Sequence, residues 1–263
     1  MTQRTLAIGD IHGCLKALET LLDAVKPTAD DAVITLGDYV DRGPDSRGVI
    51  DRILKLAGET QLFPLLGNHE VMMVDTWRDG LRSAWLEFGG KETLESYARG
   101  NNEGTFDDVP DNHWDFLTAD CAWYHESQNH VFAHAALEPE TPLEEQVPLW
   151  LFWEKLIPAT ARPHCSGKTF VCGHTAQRSG QPINLGHTIC IDTFVYGEGG
   201  WLTCLDVDSG TYWQANQEGE SRTGELGEPS YLEQSPGGMP SGETSGETWW
   251  SGDAELPDEF GPE

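Results

Sequence analysis

Three times in its first 75 residues the chain repeats one pattern: a short apolar run, a polar loop opened by glycine, and a helix-spaced run. Thr5-Leu6-Ala7-Ile8 leads into Gly9-Asp10-Ile11-His12-Gly13. Ala32-Val33-Ile34-Thr35-Leu36 leads into Gly37-Asp38-Tyr39-Val40-Asp41-Arg42-Gly43-Pro44, and Leu62-Phe63-Pro64-Leu65-Leu66 into Gly67-Asn68-His69-Glu70. Leu15, Leu18, Leu21 and Leu22 follow the first loop, and Val49, Ile50, Ile53, Leu54 and Leu56 the second, at helical spacing. Pro27 stops the first helix. Asp10, Asp38 and Asn68 lie 28 and 30 residues apart, the length of one βα unit. Parallel strands joined by right-handed crossovers bring all three loops to one edge of a sheet, where α/β folds place their ligands. The pattern therefore predicts an α/β fold with a polar site at that edge.

Residues 76–120 read as mostly helical, interrupted at Gly89-Gly90, with His113 expected on a helix surface. Residues 122–126 and 130–133 then read as strands, the second ending at His134. Residues 149–157, with Trp150, Phe152 and Trp153, read as a helix packed on the body, with a substrate-facing aromatic wall as the alternative. A strand over 168–172 ends in Gly173-His174-Thr175. Residues 188–192, 201–205 and 211–213 are expected to be antiparallel strands of a second sheet. From 216 onward the chain is rich in Gly, Glu, Ser and Pro. The expected division is thus a folded domain over 1–215 and an acidic tail over 216–263 that cannot offset its ordering entropy. Trp249-Trp250 in that tail suit docking, either in cis or on a protein partner.

The charge balance is strongly acidic: 44 Asp and Glu against 16 Lys and Arg, for a formal charge of −28. Such a surface repels a nucleic-acid backbone, and no basic run interrupts it. An acidic protein that binds phosphate needs a concentrated local positive charge, and a metal pair supplies one. The first residues carry no apolar leader and no span is long enough for a membrane, so the expectation is a cytoplasmic protein. The six cysteines form no CxxC pair and are expected as reduced thiols.

Five apolar strands thus end in polar groups: Asp10 and His12, Asp38, Asn68 and His69, His134, and His174. Carboxylates, imidazoles and an amide oxygen make a mixed N/O set that suits Mn, Fe or Zn and lacks the thiolates of a structural zinc site.

The three loop motifs resemble the signature motifs of the phosphoprotein phosphatase family of metallophosphoesterases, in its compact bacterial form. Phe132-Ala133-His134 and Cys172-Gly173-His174-Thr175 are similar to that family's later metal-ligand motifs, and the likeness extends over roughly residues 4–213. The resemblance implies a calcineurin-like metallophosphoesterase fold, two mixed β-sheets packed as a sandwich flanked by helices. It implies two divalent ions, Mn²⁺ first and Fe or Zn as alternatives. Asp10, His12 and Asp38 would hold one ion; Asp38 would bridge to a second held by Asn68, His134 and His174. The implied reaction is hydrolysis of phosphoserine or phosphothreonine, with phosphotyrosine as an extension, by direct attack of a metal-bridging hydroxide. His69 would be the acid, Asp41 its partner, and Arg42 a phosphate ligand together with Asn68. The implied partners are phosphoproteins or phosphopeptides. The alternative within the same architecture is a hydrolase of diadenosine tetraphosphate and related dinucleotides. Two positions depart from the family pattern. Leu66 stands where many members have Arg, and 150–155 lacks a second phosphate-binding Arg, leaving Lys155 and Arg162 as candidates.

Overall fold

The computed structural model describes residues 3–80, 82–100 and 102–229. The three repeats become β1 (Thr5–Ile8), α1 (Leu15–Val25), β2 (Ala32–Thr35), α2 (Ser46–Ala57), β3 (Gln61–Pro64) and α3 (Asn68–Asp79). Short helices follow: α4 (Arg82–Trp85), α5 (Lys91–Tyr97) and α6 (Asp111–Asp115). The later strands are β4 (Tyr124–Glu126), β5 (His130–Ala133), β6 (Thr169–Cys172), β7 (Ile183–Asn184), β8 (Thr188–Cys190), β9 (Leu202–Asp206), β10 (Thr211–Ala215) and β11 (Ser221–Glu225).

Local chemistry explains the repeats. α1 buries Ala17, Leu18, Leu21, Leu22 and Val25 on one face. Each buried leucine contributes roughly 2 kcal/mol. α2 begins where the Asp45 side chain accepts the Gly48 N–H at 2.8 Å, an N-cap bond. β1 and β2 pair in parallel with Ile8 opposite Thr35, and β2 and β3 with Thr35 opposite Pro64. The strands therefore end level, and their loops emerge side by side.

The two sheets have the orders β11-β10-β9-β1-β2-β3 and β4-β5-β6-β8-β7. Ala7, Ile34, Leu65 and Leu205 from the first sheet meet Phe132, Val171 and Ile189 from the second in one buried cluster. That cluster is the centre of a sandwich. α1 and α2 close the outer face of the first sheet with Leu18, Leu21, Val49 and Ile53. Leu151 and Phe152 close the outer face of the second. β5, β6 and β8 run parallel, so their ends also lie level.

Four expectations are corrected. β9 and β10 join the first sheet, β9 antiparallel to β1 with Ala7 opposite Leu205; only β8 of the three expected strands belongs to the second. Regular structure also continues past 215: β11 pairs with β10 over five residues, Thr211 opposite Glu225 through Ala215 opposite Ser221. Its alternating exposure suits an edge strand and gave no apolar run to detect. His113 is buried, its Nδ1 2.9 Å from the Tyr97 hydroxyl and its Nε2 3.0 Å from Asp51 Oδ1. Those two partners satisfy the imidazole and make its burial tolerable. Residues Leu149–Trp153 form a single wide helical turn, with Leu151 and Phe152 inside and Leu149 and Trp153 outside. The six cysteines are free thiols. Among the described residues no helix is long and apolar enough to cross a membrane. Trp249-Trp250 and the rest of 230–263 lie outside the described residues.

Candidate metal centre

The first three strand ends deliver Asp10, His12, Asp38, Asn68 and His69, all buried. β5 and β6 deliver His134 and His174 across the sandwich. The structure brings the expected residues together around Asp38. Asp38 Oδ2 lies 3.3 Å from His12 Nε2, and Asp38 Oδ1 3.4 Å from His134 Nε2. One carboxylate thus presents an oxygen to each side. Asn68 Oδ1 stands 2.9 Å from His134 Nε2 and 3.1 Å from His174 Nδ1. The Asp10 carboxylate accepts the backbone N–H of His174, with Oδ2 at 3.0 Å. Two three-residue groups, His12-Asp38-His69 and Asp38-His134-His174, each have ligand atoms within 4.8 Å of one another.

The tautomers follow from the outer contacts. His12 Nδ1–H donates to Val40 O at 2.9 Å, and His134 Nδ1–H to Leu36 O at 2.8 Å. His174 Nε2–H donates to Trp153 O at 3.2 Å. Each ring turns its lone-pair nitrogen toward Asp38 or Asn68, as a metal-ligating histidine does. Burial holds His12 and His134 below the ordinary imidazole range and takes His174 down to about 3, so the rings are neutral. Acceptor atoms therefore converge on acceptor atoms, an arrangement that cations placed among them stabilise. The charge pattern agrees. Burial, Asp192 and Asp38 push Asp10 far above the usual carboxylate range. Burial takes Asp192 up to about 6. Buried acids stacked this closely fit divalent ions, and the N/O donor set fits first-row metals.

Beside this set, His69 Nδ1–H donates to Asp41 Oδ2 at 2.6 Å. Burial opposes a charged His69, but Asp38 and the Asp41 bond outweigh it and raise the imidazole above its ordinary value. Arg42 donates from Nη1 to His12 Nε2 at 3.2 Å, and its guanidinium lies 4.4 Å above the Tyr196 ring. Arg162 is taken by Glu140 at 2.8 Å. Leu66 is packed with Val131, Ala133 and Leu137 in the second sheet's outer core, so its position offers the site no cation.

Three contributors escaped the sequence reading. Glu70 accepts the N–H groups of Asp38, Tyr39, Val40 and Gly67 and so ties the second loop to the third. Asp192 is buried beyond the end of β8 and acts electrostatically on Asp10. Tyr196 forms the shelf under Arg42 and meets His12 edge-on at 4.8 Å. Glu70 closes the third motif, but its residue type alone gave no sign that it serves backbone N–H groups. The other two come from a loop whose site-facing position depends on β8 pairing with β6.

The family model of the calcineurin-like phosphoesterases matches residues 3–189. Serine/threonine-protein phosphatase 1 of Salmonella typhimurium is 37% identical over 84 residues, covering 32% of this chain and 37% of that protein. The symmetrical bis(5'-nucleosyl)-tetraphosphatase of Ralstonia nicotianae is 40% identical over 89 residues, 34% of this chain and 29% of that one. The chain thus spans about a third of the length of the curated relatives it matches. A solved structure of a proposed diadenosine tetraphosphatase superposes with a TM-score of 0.59 at 22% identity, covering 86% of this chain and 96% of its own. The cold-active protein-tyrosine phosphatase of a Shewanella species gives a TM-score of 0.57 at 15% identity, covering 85% and 80%. At these identities the structural likeness is one of fold. With the family match extending over most of the chain and across every strand that feeds the site, the chain belongs to the calcineurin-like phosphoesterases.

Proposed function

We propose that this metallophosphoesterase removes phosphate from phosphoserine and phosphothreonine in proteins, in the cytoplasm, using two divalent ions, with Mn²⁺ the first choice. The observation that carries the reading is the 2.6 Å bond between His69 Nδ1 and Asp41 Oδ2, set beside Arg42. A serine or threonine alkoxide is a poor leaving group and needs a proton. Asp38 and the Asp41 bond raise the buried His69 imidazole above its ordinary value, which favours the protonated form an acid needs.

Asp10, His12 and Asp38 would hold one ion, and Asp38, Asn68, His134 and His174 the other. When bound, such a pair supplies Lewis-acid polarisation of a phosphoryl oxygen and acidifies water. The chain's own residues do the rest. Arg42 presents a planar donor fork to the phosphoryl oxygens, and Tyr196 beneath it limits the fork's motion. Asn68 and His69 share one helix start, so a metal ligand and the acid are placed by the same backbone. His69 protonates the departing oxygen from Nε2, and Asp41 keeps the proton on Nδ1 and stabilises the imidazolium.

The second reading is hydrolysis of dinucleoside polyphosphates. It is favoured by the tetraphosphatase relatives and by Leu66, which removes a cation common in protein phosphatases. The test is a panel on metal-stripped protein reloaded with Mn²⁺: phosphothreonine peptide, phosphotyrosine peptide, p-nitrophenyl phosphate and diadenosine tetraphosphate. A higher kcat/KM on the phosphothreonine peptide than on the dinucleotide is expected. The reverse order transfers the chain to the second reading.

A further inference from the structure

Among the described residues, the helical segment between α3 and the second sheet supplies none of the candidate metal ligands, yet it closes on Asp41. α4 ends at Trp85, whose indole N–H lies 2.9 Å from Asp41 Oδ2 and 3.1 Å from Oδ1. Thr93, in α5, donates its hydroxyl to Asp41 Oδ1 at 2.7 Å. The same hydroxyl accepts the Asp41 backbone N–H at 2.8 Å, and Ser46 Oγ supports both, 3.0 Å from Thr93 Oγ1 and 3.1 Å from that N–H. Asp41, Ser46 and Thr93 are fully buried and Trp85 is 1% exposed. Water does not serve these groups, so each bond is made within the protein or lost.

The backbone is shaped to allow this. Trp85 and Thr93 are eight residues apart, which a straight α-helix would turn about 80° away from each other. Between them lies the wide turn Leu86–Gly90, where Gly89 adopts φ 111° and breaks the helix. A Cβ on Gly89 would stand 2.4 Å from the Arg42 nitrogen, and one on Gly90 2.4 Å from the Trp85 ring. The two glycines let the Arg42 backbone and the Trp85 indole sit where they do. Wide helical turns of this kind cluster at functional sites.

Asp41 would otherwise have one partner, His69, and free acceptor positions. A loosely held carboxylate three residues from Asp38 would also be drawn toward any cation that Asp38 binds. Three donors from three elements prevent both outcomes. We propose that Trp85 and Thr93 are positioning residues for the proton donor: they lock Asp41 so that its Oδ2 fixes His69 and turns Nε2 toward the departing oxygen. The inference rests on the reading of His69 as the acid.

The experiment measures kcat against the leaving group for Trp85→Phe, Thr93→Val and Thr93→Ser, with His69→Asn alongside. The substrates are p-nitrophenyl phosphate, which leaves without a proton, phenyl phosphate and a phosphoserine peptide. For Trp85→Phe and Thr93→Val the loss grows with leaving-group basicity, about tenfold or more on the peptide and within about threefold on p-nitrophenyl phosphate. Thr93→Ser, which keeps the hydroxyl, restores the wild-type dependence. Bound Mn²⁺ per chain stays at the wild-type value, which separates positioning from collapse of the centre. A loss of equal size on all three substrates in both Trp85→Phe and Thr93→Val overturns the inference, as does no loss in either. If His69→Asn steepens the dependence and Thr93→Val does not, the positioning role alone falls. If His69→Asn leaves the dependence flat, the acid assignment falls and takes the inference with it.

Discussion

Glu70 shows how much one side chain contributes to this centre through backbone N–H groups alone. Its Oε1 accepts from Tyr39 and Val40 at 2.8 and 3.1 Å, and its Oε2 from Asp38 and Gly67 at 2.8 and 2.9 Å. The loop it holds needs holding. Asp38, Asp41 and Arg42 have φ of 51°, 71° and 68°, in the left-handed region that non-glycine residues adopt at a cost. His12 and His174 share that strain, at 46° and 59°. Burial and Asp38 push Glu70 up to about 8, so its charge depends on the four N–H donors. Glu70→Gln replaces one oxygen by an amide that faces two N–H groups. It leaves two buried donors unpaired, at about 1–3 kcal/mol each. The expected result is a loss of roughly 2–6 kcal/mol in urea unfolding, with Mn²⁺ affinity weakened at least about tenfold by calorimetry. Unchanged affinity would show that the loop keeps its strained geometry unaided. At this scale the sequence disclosed ligand types through glycine-flanked strand ends. It did not disclose which carboxylate serves backbone, because Glu70 and a solvated helix-start glutamate look alike in one dimension.

Elements are joined by ion pairs and strand register, and these were legible in unequal measure. Arg4, just before β1, reaches Asp31, just before β2, with Nε at 3.1 Å and Nη2 at 2.6 Å. The same guanidinium caps the end of α1 by donating to Val25 O and Lys26 O, at 3.3 and 3.2 Å. Thr28 adds its N–H to Asp31 at 2.7 Å. The Arg4 bond holds the Asp31 carboxyl far below the usual range. A depressed carboxylate stabilises the fold above its unfolded pKa, about 3.9, and that contribution fades as pH falls toward the folded value. Asp31→Asn therefore costs about 2 kcal/mol at pH 7, and its gap from wild type narrows below about pH 4. Urea midpoints measured from pH 7 to pH 3 check this; a gap that does not change with pH would remove the carboxylate charge as its source. The three βα repeats were readable because each is local. The membership of β9 and β10 was not, because β1 pairs with β9 across almost two hundred residues and no local pattern encodes that choice. The buried His113 escaped for a related reason: its partners Asp51 and Tyr97 lie on two other helices.

At the scale of the molecule, the edge of the first sheet and the charge of the centre carry the remaining consequences. β11 covers β10, and Arg222 on it donates to Gln214 Oε1 and to Gly180 O, each at 2.7 Å, while lying 4.1 Å above the Trp201 ring. Ending the chain at 215 exposes that edge, so its thermal midpoint should fall by several degrees below that of a chain ending at 229. Equal midpoints would make β11 dispensable. The centre raises a different question, since five acids, Asp10, Asp38, Asp41, Glu70 and Asp192, are buried around it in a chain whose net charge is already −28. Their mutual repulsion opposes folding unless cations are bound, so ion binding and stability are linked. Chelation should lower the thermal midpoint, and Mn²⁺ at about a hundred times its dissociation constant should return about 2.7 kcal/mol, or roughly 5–10 °C for a domain of this size. Asp38→Asn, which weakens the carboxylate facing both sides of the centre, should show a smaller return at the same concentration. Scanning calorimetry of stripped and reloaded protein decides it: a midpoint unmoved by chelator and by Mn²⁺ would mean that the buried acids are neutralised by protons instead. In that case the midpoint would fall steeply as pH rises through the range where Asp192, raised to about 6, gives up its proton.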